Sequence, residues 1–248
     1  MRFNRLVEIA KKSGTRLLSL SGIGHYRLDA PSYSYKSVLI PSPIYHNTRE
    51  RLDRFWADPV AVGSYLSPKR MAFYREVVQL SGERDVEYDG KSVVDVGCGT
   101  GHLLRQISDN FAPKSLTGFD FSKEALTIAG NLLPGVDLRC CDVYELPNIK
   151  CDIVFCLQVL EHLLFPDEAL RNLMGVLDKS GIALITVPNG RTDTYRGHIN
   201  FWSPDSWPIF VKGVCSGLHV ETGLLTSNGA NYAIVRQDRR DCETGGPR

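Results

Sequence analysis

The sequence predicts a doubly wound α/β protein with a mostly parallel sheet, and three observations lead to this class. From Lys91 onward, five short apolar runs alternate with helical patterns, as in consecutive βαβ units. A turn containing three glycines joins the first of these runs to the helix that follows it. Two further strand-like runs near the C-terminal end bring the predicted strands to seven.

The segment before the sheet has a different character. Residues 1–48 mix short apolar stretches with glycine and proline, and predict a helix near residues 6–18 followed by an extended arm. Three helical patterns follow: Arg49–Trp56, Pro59–Tyr65 and Pro68–Leu80. Ser67 followed by Pro68 is a typical N-cap and first helical residue, and the charged, glycine-rich stretch Ser81–Gly90 is predicted to be a linker. We therefore expect an arm or lid over residues 1–66 and one domain over residues 67–236.

The elements of the sheet are predicted from apolar runs and cap residues. The predicted strands are Ser92–Val96, Leu116–Asp120, Val136–Cys140, Ile153–Leu157, Ile182–Val187, His219–Thr226 and Tyr232–Arg236. The predicted helices are Gly101–Asn110, Ser122–Leu132, Gln158–Asp178 and Pro204–Ser216. Residues 237–248 are polar and are predicted to form a disordered tail.

Composition excludes several classes of protein. The 248 residues carry 29 Lys and Arg against 28 Asp and Glu, which argues against a protein that binds nucleic acid or membrane surfaces through bulk positive charge. The apolar runs are far shorter than the roughly 20 residues of a membrane helix, and charges interrupt the N-terminal segment where a secretory signal would lie. We expect a cytoplasmic protein. Its seven cysteines lack C-x-x-C spacing, and we interpret them as small apolar side chains of a reduced protein.

The glycine turn follows the first predicted strand. Gly97, Gly99 and Gly101 allow a sharp turn and the close approach of a ligand to the backbone. The spacing is not that of a dinucleotide loop, because His102 stands where the third glycine of G-x-G-x-x-G would be. Asp95, at the end of the strand, has the wrong charge for a pyrophosphate and suits a ligand with an ammonium group.

Two more acidic residues follow the next strands. Asp120 ends the second strand, 19 residues after Gly101, where a carboxylate can accept from both hydroxyls of a ribose. Asp142 follows the third strand and is placed to accept from the exocyclic amine of an adenine. Ammonium, ribose and adenine together describe S-adenosylmethionine.

These motifs resemble those of the class I S-adenosylmethionine-dependent methyltransferases. The shared features, in the family's order, are Asp-Val-Gly-Cys-Gly-Thr-Gly at 95–101, Asp120, Asp142-Val143, Cys-Asp-Ile-Val-Phe at 151–155 and Val-Leu-Glu-His at 159–162. The resemblance covers residues 67–236 and implies a Rossmann-like, seven-stranded sheet whose last strand is antiparallel. It also implies S-adenosylmethionine as cofactor, held by Asp95, Gly97, Gly99, Gly101, Asp120, Phe121, Asp142, Val143 and Leu157.

Within this class the chain is most similar to the ubiquinone-pathway O-methyltransferases. These share the Val-Leu-Glu-His segment and carry an N-P-x-R motif before the first strand, which Ser67-Pro68-Lys69-Arg70 matches with Ser for Asn. The resemblance implies that Arg70 pairs with the carboxylate of the cofactor. The alternative is a solvated arginine on a helix surface.

A group of metal-ligating residue types follows the fourth strand. On the predicted helix, Gln158, Glu161 and His162 would share one face, and His198 lies in the loop after the next strand. In the ubiquinone O-methyltransferases and the small-RNA 3′-terminal 2′-O-methyltransferases, Glu-x-x-Glu-His and a later His hold a divalent metal. Here Gln158 replaces the first Glu. Three interpretations stay open: Glu161, His162 and His198 hold Mg²⁺, Mn²⁺ or Zn²⁺, His198 is a metal-free general base, or the histidines are structural.

The leading functional hypothesis is an O-methyltransferase of a small molecule or sugar-bearing metabolite. An N-methyltransferase, an RNA ribose 2′-O-methyltransferase and a non-enzymatic binding module are the alternatives. Arginines 49, 51 and 54 among aromatic residues are the only stretch that resembles a nucleic-acid surface, and the balanced charge argues against that partner. We expect a small-molecule acceptor, no membrane partner and a homodimer.

An aromatic lid over the acceptor is predicted from the arm and from one later loop. Its members are Tyr26, Tyr33, Tyr35, Tyr45, Trp56, Phe201, Trp202 and Trp207. The alternative for these residues is ordinary packing of the arm on the core.

Overall fold

The computed structural model describes residues 47–237, so the predictions for residues 1–46 and 238–248 lie outside the described residues. The strands are β1 (Ser92–Val96), β2 (Ser115–Asp120), β3 (Asp137–Cys140), β4 (Cys151–Leu157), β5 (Leu177–Val187), β6 (His219–Leu224) and β7 (Asn231–Arg236). They form one sheet in the order β3-β2-β1-β4-β5-β7-β6. Strand β7 is antiparallel to both of its neighbours, and the other six strands run in one direction. The predicted fold class is confirmed. The strand order reverses between β1 and β4, and ligands of such sheets bind beyond the carboxyl ends of the strands at that point.

Seven helices accompany the sheet in the described part of the chain. They are α1 (Arg49–Ala57), α2 (Pro59–Tyr65), α3 (Pro68–Gly82), α4 (His102–Asn110), α5 (Lys123–Leu132), α6 (Pro166–Val176) and α7 (Ser206–Val214). The predicted caps are present, since Ser67 Oγ accepts from Arg70 N and Ser122 Oγ accepts from Ala125 N. No helix among residues 47–237 is both long enough and apolar enough to cross a bilayer.

Side chains of the central strands alternate between two cores, one on each face of the sheet. In β4, Val154 and Cys156 belong to one core, while Ile153, Phe155 and Leu157 belong to the other. Helix α3 covers the second core with Phe73. A sheet buried on both faces explains why its strands read as continuous apolar runs.

The predicted helix Gln158–Asp178 is correct only over Pro166–Val176 and wrong at both ends. Strand β4 ends at Leu157, a short 3-10 turn covers Leu160–His162, and α6 begins only at Pro166. Asp178 lies in β5, which starts at Leu177, the residue that pairs with Cys151 of β4. Gln158 has a φ of 59°, which no α-helix accommodates, so Gln158, Glu161 and His162 do not share a helix face.

Two further expectations need correction. The segment Ser81–Gly90 is not a free linker, because Ser81 and Tyr88 are buried and hydrogen-bonded to each other. Trp202 and Trp207 do not line a lid, because both belong to a core of the sheet and Trp207 is only 1% exposed. Of the predicted lid residues in that loop, Phe201 alone is exposed.

The cysteines of the described chain are all free. Four are buried as predicted (Cys98, Cys151, Cys156 and Cys215), whereas Cys140 is exposed and Cys141 is half-buried.

Candidate active site

The glycine turn after β1 uses its three glycines in different ways. All have positive φ, at 79°, 52° and 79°. A Cβ on Gly97 would lie 2.3 Å from Val159 Cγ2, and one on Gly101 would lie 2.8 Å from Leu133 Cδ1, so these two positions are closed by packing. At Gly99 the nearest atom would be 3.8 Å away, in the ring of Trp56. Gly99 is therefore the position at which a ligand can approach the backbone.

Asp95 is a buried carboxyl group beside this turn. It is 3% exposed, and its Oδ1 has no hydrogen-bond partner among the described residues. Burial, with the charge of Asp120 as a smaller cause, raises the pKa of Asp95 to about 8. A cationic ligand group beside this oxygen would remove both penalties.

Asp120, at the end of β2, is held by backbone groups. Its Oδ2 accepts from Gly99 N at 2.7 Å and its Oδ1 accepts from Ser122 N at 2.8 Å. Burial raises the pKa of Asp120, and these backbone N–H groups oppose the shift. The contact with Gly99 ties the carboxylate to the glycine turn, which suits the predicted ribose subsite.

The remaining predicted cofactor residues lie at the carboxyl ends of β2, β3 and β4. Phe121 directly follows Asp120, and Val143 and Leu157 are buried. Asp142 is the N-cap of a 3-10 turn, where its Oδ1 accepts from Tyr144 N at 3.0 Å. The structure thus brings the three acidic residues to one edge of the sheet.

Helix α1 lies over this edge. The guanidinium carbon of Arg49 is 4.6 Å from the centroid of the Phe121 ring. Asp53 Oδ1 accepts from Ser122 Oγ at 2.5 Å. Together with Trp56 beside Gly99, these contacts place α1 against the predicted cofactor residues.

A cavity of about 470 Å³ opens beside α3 and the carboxyl ends of β4 and β5. Arg70 lines it, and its guanidinium carbon stacks 4.4 Å from the Tyr65 ring centroid. The other lining residues are Ser64, Tyr65, Ser67, Lys69, Phe73, Gln158, Pro188, Asn189, Thr192, Asp193, Asn228 and Ala230. Most carry hydroxyl, amide or charged groups, so the cavity suits a polar ligand.

The loop after β5 is fastened to the 3-10 turn after β4. Ile199 N and Asn200 N both donate to Glu161 O, at 2.9 and 3.1 Å. The Asn200 side-chain amide also donates to Leu160 O and Leu163 O. These bonds bring His198 next to Glu161, although the two are far apart along the chain.

Glu161, His162 and His198 form a compact cluster. One ligand atom from each lies within 4.8 Å of the other two, and His198 Nε2 is 3.9 Å from Glu161 Oε1. Glu161 is 1% exposed, neither of its oxygens has a partner among the described residues, and burial raises its pKa to about 8. Burial is also the main cause that lowers the pKa of His198, and the pKa of His162 to about 4.

Hydrogen bonds decide which nitrogen of each imidazole carries the proton. His198 Nδ1 is 2.5 Å from Asp193 Oδ2, a carboxylate that only accepts, so the proton of neutral His198 lies on Nδ1. His162 Nδ1 faces Asn47 Oδ1 at 3.0 Å and Gly197 O at 3.3 Å, which are also acceptors. The amide orientation of Asn47 follows from its Nδ2, which donates to His162 O and Gly197 O. Both imidazoles therefore keep an Nε2 lone pair, as metal-ligating histidines with such partners do.

Sequence reasoning missed Asp193 and Asn47, the two residues that orient the imidazoles. Asp193 lies five residues before His198 in a polar loop, and that spacing is its only sequence signal. Asn47 precedes α1 and is 115 residues from His162. No local pattern indicates such a contact.

The fold and the glycine turn define the class of protein. A seven-stranded sheet of this order, with an antiparallel last strand and acidic residues after β1, β2 and β3, is the fold of the class I S-adenosylmethionine-dependent methyltransferases. Residues 94–185 match the family described as a methyltransferase domain. The described fold and the match over residues 94–185 agree with the predicted class I S-adenosylmethionine-dependent methyltransferase, and the chain resembles the ubiquinone-pathway O-methyltransferases within that class.

Individual relatives match over part of their length. A tRNA U34 carboxymethyltransferase of Campylobacter curvus is 36% identical over 99 residues, which cover 38% of this chain and 33% of the relative. A ubiquinone biosynthesis O-methyltransferase of Glaesserella parasuis is 26% identical over 164 residues, which cover 59% of this chain and 64% of the relative. The chain thus spans between one third and about two thirds of the length of these relatives.

A solved structure supports the same fold. The N-methyltransferase NodS from Bradyrhizobium japonicum, in complex with S-adenosylhomocysteine, superposes with a TM-score of 0.62 at 16% identity. The match covers 77% of this chain and 98% of NodS.

Proposed function

We propose that this protein is an S-adenosylmethionine-dependent O-methyltransferase that acts on a small molecule or sugar-bearing metabolite, assisted by a divalent cation. The observation that carries the proposal is the cluster of one buried carboxyl group and two imidazoles, in which one ligand atom from each residue lies within 4.8 Å of the other two. No hydrogen-bond donor among the described residues faces the Glu161 side chain. Such an arrangement is repulsive unless a cation or a proton occupies it.

The cofactor site fits S-adenosylmethionine, which supplies a methyl group on a positively charged sulfur. The unpartnered Oδ1 of Asp95 would face its ammonium group, and Asp120 would accept from its ribose hydroxyls. Arg70, in the cavity wall, would pair with its carboxylate. Phe121, Asp142, Val143 and Leu157 would surround the adenine. Gly99 would allow the cofactor to approach the backbone, and Gly97 and Gly101 would shape the turn that presents it. The protein would contribute mainly alignment and exclusion of water, worth roughly 7–11 kcal/mol.

The cation site would use one carboxylate and two imidazoles. Glu161 Oε1, His162 Nε2 and His198 Nε2 are ligand types that Mg²⁺, Mn²⁺ or Zn²⁺ accept in differing preference. Bound there, the ion would lower the pKa of an acceptor hydroxyl. Asp193 and Asn47 would keep the Nε2 atoms turned toward it.

His198 as a metal-free general base is the competing interpretation. Its Nδ1 is bonded to Asp193, so Nε2 would accept the proton of an acceptor hydroxyl. The buried, unpaired Glu161 favours the cation, because a general base at His198 leaves Glu161 without a charged partner.

Cofactor binding is tested with Asp120→Ala. The variant loses hydrogen bonds to ribose, so the binding free energy of S-adenosylhomocysteine should become less favourable by about 1.5–3 kcal/mol, which raises the dissociation constant. Titration calorimetry measures it. Asp109→Ala, which removes an exposed carboxylate that is ion-paired to Arg105, is the matched control. An unchanged dissociation constant in Asp120→Ala would refute the ribose assignment.

The cation is tested by chelation in combination with His198→Ala. If the cluster holds an ion, a chelator and His198→Ala should each abolish turnover, their effects should not add, and Mg²⁺, Mn²⁺ or Zn²⁺ should restore only the wild type. Direct titration of Mn²⁺ by electron paramagnetic resonance gives a readout without substrate. Gln158→Glu should tighten Mn²⁺ binding if residue 158 reaches the ion.

The outcomes separate the three interpretations. A chelator-insensitive wild type that loses turnover in His198→Ala identifies a general base. Full, chelator-insensitive activity in His198→Ala leaves the histidines structural and removes the cation from the proposal.

An RNA ribose acceptor is the second candidate, because one relative modifies a tRNA by its name and a cation can hold the two hydroxyls of a ribose as readily as those of a metabolite. Arg51 and Arg54 are exposed on α1, whereas Arg49 is stacked on Phe121. Salt-dependent binding of RNA oligonucleotides would favour this candidate.

N-methylation and a non-enzymatic binding role stay as alternatives, and analysis of the reaction product distinguishes them. A homodimer and a cytoplasmic location stay predictions, and light scattering tests the dimer.

A further inference from the structure

Helix α1 packs on the domain without a fully buried residue, although Leu52 and Trp56 are half-buried. Its contacts join it to Phe121, Ser122 and Gly99, which are predicted cofactor residues or neighbours of them. The surface under α1 is therefore the adenosyl side of the cofactor site.

Arg49 is the residue of α1 whose polar groups are incompletely used. Its guanidinium lies over the Phe121 ring, and its Nε is buried without a hydrogen-bond acceptor among the described residues. An unpaired buried N–H is unfavourable because it has given up its hydrogen bonds to water. The Arg49 Nε–H therefore lacks a hydrogen-bond acceptor in the described part of the chain, and a bound ligand can supply one.

We propose that Arg49 is part of the cofactor site and that its Nε–H binds an acceptor on the adenosyl group, either a ribose oxygen or a ring nitrogen. The inference rests on the proposed cofactor and extends its site to the helix before the domain. Asp53 acts as a positioning residue, because its bond to Ser122 Oγ fixes the turn of α1 from which Arg49 reaches Phe121.

Two ligands distinguish an adenosyl contact from any other effect. S-adenosylhomocysteine carries both the adenosyl and the amino-acid ends, whereas 5′-methylthioadenosine lacks the amino-acid end. Arg49→Ala should weaken both ligands by a similar factor, about tenfold. Arg70→Ala, which removes the proposed partner of the carboxylate, should weaken S-adenosylhomocysteine alone. Calorimetry, with competition for the weaker ligand, measures the dissociation constants of both ligands for the wild type and for each variant.

Matched variants control for charge and folding. Arg54→Ala removes an exposed arginine from the same helix and should leave both constants unchanged. Arg49→Lys keeps the charge and loses the Nε–H, so it should bind nearly as poorly as Arg49→Ala. Thermal melting of the ligand-free proteins shows whether the variants keep the wild-type fold, which we expect because no residue of α1 is fully buried.

Three results would overturn the inference. They are unchanged constants in Arg49→Ala, a loss confined to S-adenosylhomocysteine, and full recovery in Arg49→Lys. If the wild type binds neither ligand, the proposed function itself fails together with the inference. Wild-type binding with an unaffected Arg49→Ala refutes Arg49 alone.

Discussion

At the scale of single residues, two buried carboxyl groups have different surroundings. Glu161 lies beside two imidazoles, whereas Asp95 lies at the end of β1 with Asp120 as its charged neighbour. Among the described residues, neither oxygen of Glu161 has a hydrogen-bond partner, and the same holds for Oδ1 of Asp95. Both are costly to ionise, and in both cases a bound cation relieves the cost.

Asp95 makes stability depend on pH. Its pKa is about 8 in the folded chain against an ordinary value of 3.8. Between these values the folded chain keeps a proton that the unfolded chain has lost, so the free energy of unfolding should fall as pH rises, by at most about 1.4 kcal/mol per unit. Asp95→Asn cannot titrate and should flatten this slope. Urea unfolding of the ligand-free protein between about pH 5 and pH 8 measures it, and equal slopes for both proteins would contradict the prediction.

At the scale of elements, the turn between β1 and α4 shows why three glycines occur together. Gly97 lies against Val159, Gly101 lies against α5, and Gly99 stays accessible. The turn thus satisfies a packing requirement on both sides and a ligand requirement in the middle.

Gly97→Ala should destabilise the protein and weaken cofactor binding. The positive φ alone costs about 1–3 kcal/mol, and the new Cβ would lie against Val159 Cγ2. Adding Val159→Ala should relieve the clash and restore only part of the loss. Gly82→Ala, at the end of α3 with nothing within 4 Å, is the control and should be neutral or slightly stabilising. Chemical denaturation measures the free energy of unfolding of the wild type, Gly97→Ala, the double variant and Gly82→Ala. Wild-type stability in Gly97→Ala would show that the turn is more adaptable than its geometry indicates.

At the scale of the whole molecule, residues 47–57 connect the two halves of the candidate site. Asn47 is hydrogen-bonded to His162 in the cluster with Glu161 and His198, and α1 lies against Phe121 and Ser122. The sequence-based boundary at residue 66 therefore separates elements that contact the same site. The sequence predicts that the arm over residues 1–48 binds the methyl acceptor. Asn47 makes the contact with His162, so a test of the arm alone removes only residues 1–46.

Deleting residues 1–46 should leave cofactor affinity within about twofold of the full chain, because the described cofactor contacts all remain. Turnover should be lost if the arm holds the acceptor. Calorimetry with S-adenosylhomocysteine and a turnover assay of the same preparation test both parts. A truncated protein with full activity would remove the arm from acceptor binding.

The sequence by itself determined the strands, the helix caps, the glycine turn and the acidic residues after β1 to β3. These follow from alternation, cap chemistry and spacing, which are local properties of the chain. It could not determine the course of residues 158–165. That segment follows an α-helical pattern, but Asn200, about 40 residues further on, takes the carbonyls of Leu160 and Leu163 and stabilises a 3-10 turn instead.

Only the tertiary structure decided which polar groups meet. Three contacts depend on how separate segments of the chain pack beyond the ends of the strands. They are His162 with Asn47, His198 with Asp193, and Arg49 with Phe121. The proton positions on the two imidazoles follow from those partners. Long-range hydrogen bonds leave no periodic signal in a sequence, because their geometry is set by the packing of the elements that carry them.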